Sequence, residues 1–124
     1  MKTVIIVEDD PDIQSLIEVI FSMDSRFAVA RPVESAEDAI EVVRTTGAEI
    51  IVLDYGLPGD LTGLDAARQL KQLAPQAKII MFTAHAEIEA EFEKEPTIDA
   101  FLLKTDTTRL LPLAQRMTRM LGFA

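Results

Sequence analysis

Short apolar runs alternate with amphipathic helical segments from one end of the chain to the other. This predicts an α/β fold with five parallel strands in one sheet and helices covering both faces. Two observations support that class. The runs Val4-Ile5-Ile6-Val7 and Ile50-Ile51-Val52-Leu53 are apolar at every position, as in strands buried on both sides. The chain has 124 residues, enough for one domain (1–124) that buries roughly two thirds of the surface its unfolded chain would expose.

The elements follow in order. Asp10 can cap and Pro11 can open a first helix, in which Ile13, Leu16, Ile17, Ile20 and Phe21 recur at helical spacing on one face. A short strand is expected near Phe27 to Ala30. Ser35 then caps a second helix with Ala36, Ala39, Ile40 and Val43 turned inward, and Gly47 is placed to end it. After the Ile50 strand, Pro58, Gly59 and Gly63 punctuate a loop. A third helix runs roughly from Leu64 to Leu73, stopped by Pro75, and leads into Ile79-Ile80-Met81-Phe82, which Thr83 closes. The fourth helical segment is densely acidic, with Glu87, Glu89, Glu91, Glu93 and Glu95 alternating with small or apolar residues. A fifth strand from Ala100 to Leu103 ends at Lys104. A last helix buries Leu110, Leu113, Ala114, Met117 and Leu121, which reads as core packing.

Composition excludes several classes. The chain has no cysteine, which removes disulfides, thiolate metal sites and thiol nucleophiles. A formal net charge of −9 argues against direct binding of a nucleic-acid backbone, where affinity comes from neutralising phosphates. The apolar run after Lys2 is broken by Glu8, too short for a secretory core or a membrane span, so the expectation is a soluble, cytoplasmic chain.

The chemistry gathers at the ends of the strands. Glu8 and Asp9 close the first strand and Asp54 closes the third; if those strands are neighbours, three carboxylates crowd together. Clustered carboxylates repel one another unless a positive charge sits among them. A hard divalent cation, Mg2+ or Mn2+, is the natural occupant, sharing its remaining positions with water and phosphate oxygens. Ligands of open parallel sheets bind beyond the carboxyl ends of the strands, where Thr83 and Lys104 also fall. Asp54 can then attack phosphorus as nucleophile, the metal and Lys104 can neutralise the phosphoryl oxygens, and Thr83 can donate its hydroxyl.

In these residues the chain resembles, over essentially its whole length, the receiver domains of bacterial two-component response regulators. Those domains carry an acidic pair after the first strand, a phosphorylated Asp after the third, Ser or Thr after the fourth and Lys after the fifth, here Glu8 with Asp9, Asp54, Thr83 and Lys104. The resemblance implies a doubly wound (βα)5 three-layer sandwich like that of flavodoxin. It implies that Asp9 and Asp54 bind Mg2+ directly, that Glu8 helps through water and that the backbone carbonyl of Gly56 supplies another ligand. It also implies that Phe101, three residues before Lys104, swings inward as Thr83 moves toward the phosphate. The partners implied are a sensor histidine kinase or a histidine phosphotransfer protein, and a downstream protein or a second copy on the face of the fourth helix, fifth strand and fifth helix. The function expected is a phosphorylation-activated signalling module rather than an enzyme. It would work either alone or as the N-terminal receiver portion of a longer regulator with a transcriptional or enzymatic output.

Three features depart from the family pattern. Thr105 follows Lys104 where the family usually has proline, so this peptide is either trans with a rearranged loop or cis at a cost of about 3 kcal/mol. The loop Gly59-Asp60-Leu61-Thr62-Gly63 is one residue longer than the commonest version. Gly56 and His85 stand two residues beyond Asp54 and Thr83, positions that tune acyl-phosphate lifetime in similar domains. His85 is the only histidine. It follows a strand end, unlike phosphotransfer histidines on helical bundles, and is expected to be a loop residue beside the site.

Two other classes fit less well. Phosphatases of the haloacid-dehalogenase type place a second Asp where this chain has Gly56. Flavin-binding domains cradle phosphate in a loop rich in Ser, Thr and Gly where this chain has Glu8-Asp9-Asp10-Pro11.

Overall fold

A computed structural model describes residues 1–59 and 61–119. Five strands, β1 (Lys2–Val7), β2 (Phe27–Val29), β3 (Ile50–Leu53), β4 (Lys78–Thr83) and β5 (Ala100–Leu103), form one parallel sheet in the order β2-β1-β3-β4-β5. The helices are α1 (Pro11–Ser22), α2 (Ala36–Thr46), α3 (Gly63–Leu73), α4 (Glu89–Phe92) and α5 (Leu110–Met117), with 3-10 turns ahead of the last two at Ala86–Ile88 and Thr107–Arg109.

Strand periodicity divides the core in two. Ile5, Val7, Ile51, Leu53, Ile79 and Met81 face a layer formed by Ala36, Ala39 and Val43 of α2, Ala66, Ala67 and Leu70 of α3, and Phe92 of α4. The alternate residues Val4, Ile6, Ile50, Val52, Ile80 and Phe82 face Ile17, Ile20 and Phe21 of α1 and Leu110 and Ala114 of α5. Both faces of the sheet are therefore dry, which explains why β1 and β3 read as unbroken apolar runs. This is the expected three-layer, doubly wound arrangement.

Local signals act as their chemistry requires. The Asp10 side chain accepts from the Asp12 N–H at 2.8 Å, and the Ser35 and Thr62 hydroxyls accept from Asp38 and Asp65 N–H groups at 3.1 Å each. Gly47 ends α2 with φ 71°, a left-handed conformation that a side chain would disfavour.

Three expectations change. Leu16 is 38 % exposed, so the buried stripe of α1 is narrower than its apolar spacing suggested. Leu113 and Met117 are only half-buried, and Leu121 lies outside the described residues. The acidic segment forms a 3-10 turn and a single α-turn instead of a full helix. Glu87 and Glu91, Glu89 and Glu93, and Glu91 and Glu95 are all like charges at i,i+4, which destabilises a helix, and Pro96 bars its continuation.

Candidate functional site

The sheet order makes β1 and β3 direct neighbours, with β2 on the far side of β1. Sequential connections thus leave β1 in opposite directions, and a crevice opens above the carboxyl ends of β1 and β3. Register then places the candidate residues. Val7 pairs with Leu53, and the Asp54 N–H donates to the Val7 carbonyl at 3.0 Å, so Asp54 stands beside Glu8. Thr83 pairs with Leu103, and the Lys104 N–H donates to the Thr83 carbonyl at 2.8 Å.

Glu8, Asp9 and Asp54 each present a carboxylate oxygen, and these lie within 4.8 Å of one another. Lys104 enters this cluster. Its Nζ stands 2.6 Å from Glu8 Oε1 and 3.2 Å from Asp54 Oδ2. The peptide after Lys104 is trans, since no cis bond occurs among the described residues. The absence of proline therefore does not keep the lysine from the carboxylates. The loop is closed instead by a turn in which the Asp106 N–H donates to the Leu103 carbonyl at 2.9 Å.

Burial and charge compete here. Glu8 is 2 % exposed, and burial pushes its carboxyl above the ordinary value, helped by the charge of Asp54 and opposed by Lys104 and the Asp10 N–H. Burial would lower the Lys104 ammonium, but the contacts with Glu8 and Asp54 outweigh it and hold the pKa above its ordinary value. Glu8 and Asp54 thus share one resident positive charge. The buried Glu8 Oε1 is held by the Lys104 ammonium at 2.6 Å.

The three carboxylates, an all-oxygen donor set, fit a hard divalent cation. Asp9 is exposed and open to solvent, whereas Asp54 is 7 % exposed. Gly56 follows in the exposed bend after Tyr55.

Thr83 is fully buried at the end of β4, and its Oγ1 accepts from the His85 N–H at 3.2 Å. A hydroxyl that accepts in this way keeps its own proton for another partner. His85 is exposed, with Nδ1 3.2 Å from Glu87 Oε1. Phe101 pairs in register with Met81 and is half-buried, its ring stacked on Phe92 at 6.3 Å.

Two neighbours of the site escaped the sequence reading. The Gln14 side-chain amide donates to the Glu8 carbonyl and so anchors the acidic turn to α1. Tyr55 places an aromatic ring directly after Asp54. Its position beside the candidate nucleophile was legible in the sequence, but its packing partners lie far along the chain.

Comparison with known proteins agrees with this geometry. The family model for the response regulator receiver domain matches residues 4–115. The chain is 37 % identical over 78 residues to protein-glutamate methylesterase/protein-glutamine glutaminase 2 of Paramagnetospirillum magneticum, covering 63 % of this chain and 22 % of that protein. It is 30 % identical over 87 residues to response regulator UvrY of Escherichia coli, covering 70 % of this chain and 39 % of that protein. The chain thus spans less than half the length of these curated relatives. Among solved structures, response regulator protein TrrA from Thermotoga maritima, in complex with Mg2+ and BeF, superposes with a TM-score of 0.83 at 22 % identity, covering 94 % of this chain and 99 % of that one. A CheY-like receiver domain protein from Methanospirillum hungatei superposes with a TM-score of 0.83 at 23 % identity, covering 96 % and 95 %. Matched by the family model from its first strand into its last helix, the chain belongs to the response regulator receiver domain family, the phosphorylation-controlled signalling modules of two-component systems.

Proposed function

We propose that Asp54 is the phosphoacceptor of this domain and takes its phosphoryl group from a sensor histidine kinase or a histidine phosphotransfer protein. The observation that carries the reading is the cluster of three carboxylates within 4.8 Å, joined by the Lys104 ammonium, above the carboxyl ends of the strands. In the transfer an Asp54 carboxylate oxygen forms a P–O bond as the donor's P–N bond breaks, and the departing imidazole takes up a proton.

Asp9 and Asp54 would hold Mg2+ or Mn2+ directly, with Glu8 through water and Gly56 through its carbonyl. When bound, the ion supplies positive charge against the phosphoryl oxygens. Lys104, already 3.2 Å from Asp54, neutralises a further phosphoryl oxygen, and the Thr83 hydroxyl donates to another. As Thr83 shifts, Phe101 moves inward, which changes the face of α4, β5 and α5 that meets a downstream protein or a second copy. The domain signals rather than turning over a substrate, its own chemistry being limited to phosphoryl transfer and self-hydrolysis. Among the described residues no helix is long and apolar enough to cross a membrane; a place in the cytoplasm beside a kinase is part of the proposed reading.

Intact-mass analysis of wild type and Asp54→Ala, after incubation with Mg2+ and a small acyl-phosphate donor, tests the assignment. One phosphoryl adduct on the wild type alone is expected. An adduct retained by Asp54→Ala, or none on the wild type even with a stable phosphate mimic, would remove Asp54 from this role.

A further inference from the structure

We infer that Tyr55 is a positioning residue that couples the state of Asp54 to α4 through its contact with Phe92. The inference rests on Asp54 being the phosphoacceptor.

The argument begins with α4. A four-residue helix has almost no cooperative stability of its own, because nucleation costs more than one or two hydrogen bonds return. Its position must therefore come from the side chains it buries. Within the turn and helix from Ala86 to Phe92 those are Ile88, 8 % exposed, and Phe92, 4 % exposed. Phe92 sits between two rings. Tyr55 meets it edge-on with centroids 5.6 Å apart, and Phe101 stacks on it at 6.3 Å with planes 26° apart.

Both neighbours lead back to the site. Tyr55 is bonded to Asp54, and Phe101 lies on the strand that ends in Lys104. The seat of α4 is thus shared between the segment carrying the nucleophile and the strand carrying the lysine. Tyr55 has a second aromatic neighbour, His85, edge-on at 6.4 Å, whose N–H donates to Thr83 Oγ1. The ring therefore touches the loop that follows Thr83 as well as α4.

The start of α3 also lies close to this residue: a Cβ on Gly63 would stand 3.0 Å from Tyr55 Cα and 3.2 Å from its carbonyl oxygen, so only a glycine admits this approach. A change in the Asp54 segment moves the ring of the residue bonded to it. The expected result is a shift of Phe92 and of the short helix that depends on it.

Tyr55 is the only tyrosine and the chain has no tryptophan, so tyrosine emission reports this one ring. The test compares wild type, Tyr55→Phe, Tyr55→Leu and Phe92→Leu. Each is measured for phosphoryl uptake by intact mass and for hydrogen exchange across residues 86–95, with and without Mg2+ plus beryllofluoride. Both leucine variants keep apolar bulk. The expectation is uptake within about twofold of wild type in all variants, with the exchange response of residues 86–95 at least halved in both leucine variants and retained in Tyr55→Phe. Wild-type emission should change on adding the mimic, and Phe92→Leu should lose most of that change. A full exchange response in Tyr55→Leu would overturn the coupling role while leaving the Asp54 assignment intact. Absence of any adduct on the wild type would overturn both.

Discussion

Replacing Lys104 with methionine removes the one positive charge from the coupled carboxylates while keeping much of the side chain's length. With an effective dielectric of about 20, Coulomb's law gives gross attractions of about 6 kcal/mol at the 2.6 Å contact with Glu8 and about 5 kcal/mol at the 3.2 Å contact with Asp54. The net loss is much smaller, because water re-enters and the buried Glu8 can take up a proton instead. Breaking a buried pair by removing one partner costs about 3–5 kcal/mol. The Lys104 side chain is 18 % exposed, which places the cost near the lower bound, about 3 kcal/mol.

The pH dependence gives the sharper test. Burial already holds the Glu8 carboxyl above its ordinary 4.5, and without the ammonium it rises further. A carboxyl whose pKa is raised on folding contributes stability below its unfolded value and loses it as pH climbs through the folded one. The cost of Lys104→Met should therefore be small near about pH 4 and complete by about pH 8. Urea denaturation in chelator should show a midpoint about 1.5–2 M lower at the higher pH. Adding Glu8→Gln should restore most of the loss, because the uncompensated charge is then gone. A Lys104→Met midpoint unchanged at both pH values, or an equal loss in the double variant, would refute the reasoning.

Two further outcomes are expected. Asp24 is 2 % exposed and bound by Arg26 through contacts of 2.7–3.1 Å and by Gln115 of α5 at 3.0 Å, and these hydrogen bonds hold its carboxyl far below the ordinary 3.8. A carboxyl depressed in this way stabilises the fold above its unfolded pKa and stops doing so as pH falls through the folded one. Asp24→Asn should accordingly lower Tm near neutrality, and the gap to wild type should narrow as melts are taken from about pH 4 to about pH 2. Gly63→Ala should cost about 1–3 kcal/mol, since its Cβ would meet the Tyr55 backbone at 3.0 Å rather than a flexible side-chain end. Thermal melts should show a fall of about 4–10 °C, and no fall would mean that the approach relaxes freely.

Much of this protein was legible without coordinates, and for identifiable reasons. A strand buried on both faces has to be apolar throughout, so Val4–Val7 and Ile50–Leu53 announced themselves, and Glu8 and Asp54 marked where each strand ends. Caps are local hydrogen bonds, so Asp10 and Ser35 were readable from their neighbours alone. The acidic fourth segment was less legible. Its apolar positions suit a helix, and its length follows from like-charge repulsion, the anchoring of Phe92 and the stop at Pro96.

The residues proposed for the chemistry were evident one by one at the ends of the strands. That Glu8, Asp9 and Asp54 come together and that Lys104 pairs with Glu8 and Asp54 depends on the pairing of β1 with β3 and on the reach of the lysine across the crevice. The same holds for Asp24. Gln115, 91 residues away, donates to its buried carboxylate. The contact of Tyr55 with Phe92 belongs to this group too, because rings so far apart in the chain meet only after α4 packs on the sheet. Periodicity and capping are written into neighbouring residues and so are determined by sequence alone. Long-range charge pairing and ring packing exist only once the topology has brought distant strands together, and the tertiary structure alone decides them.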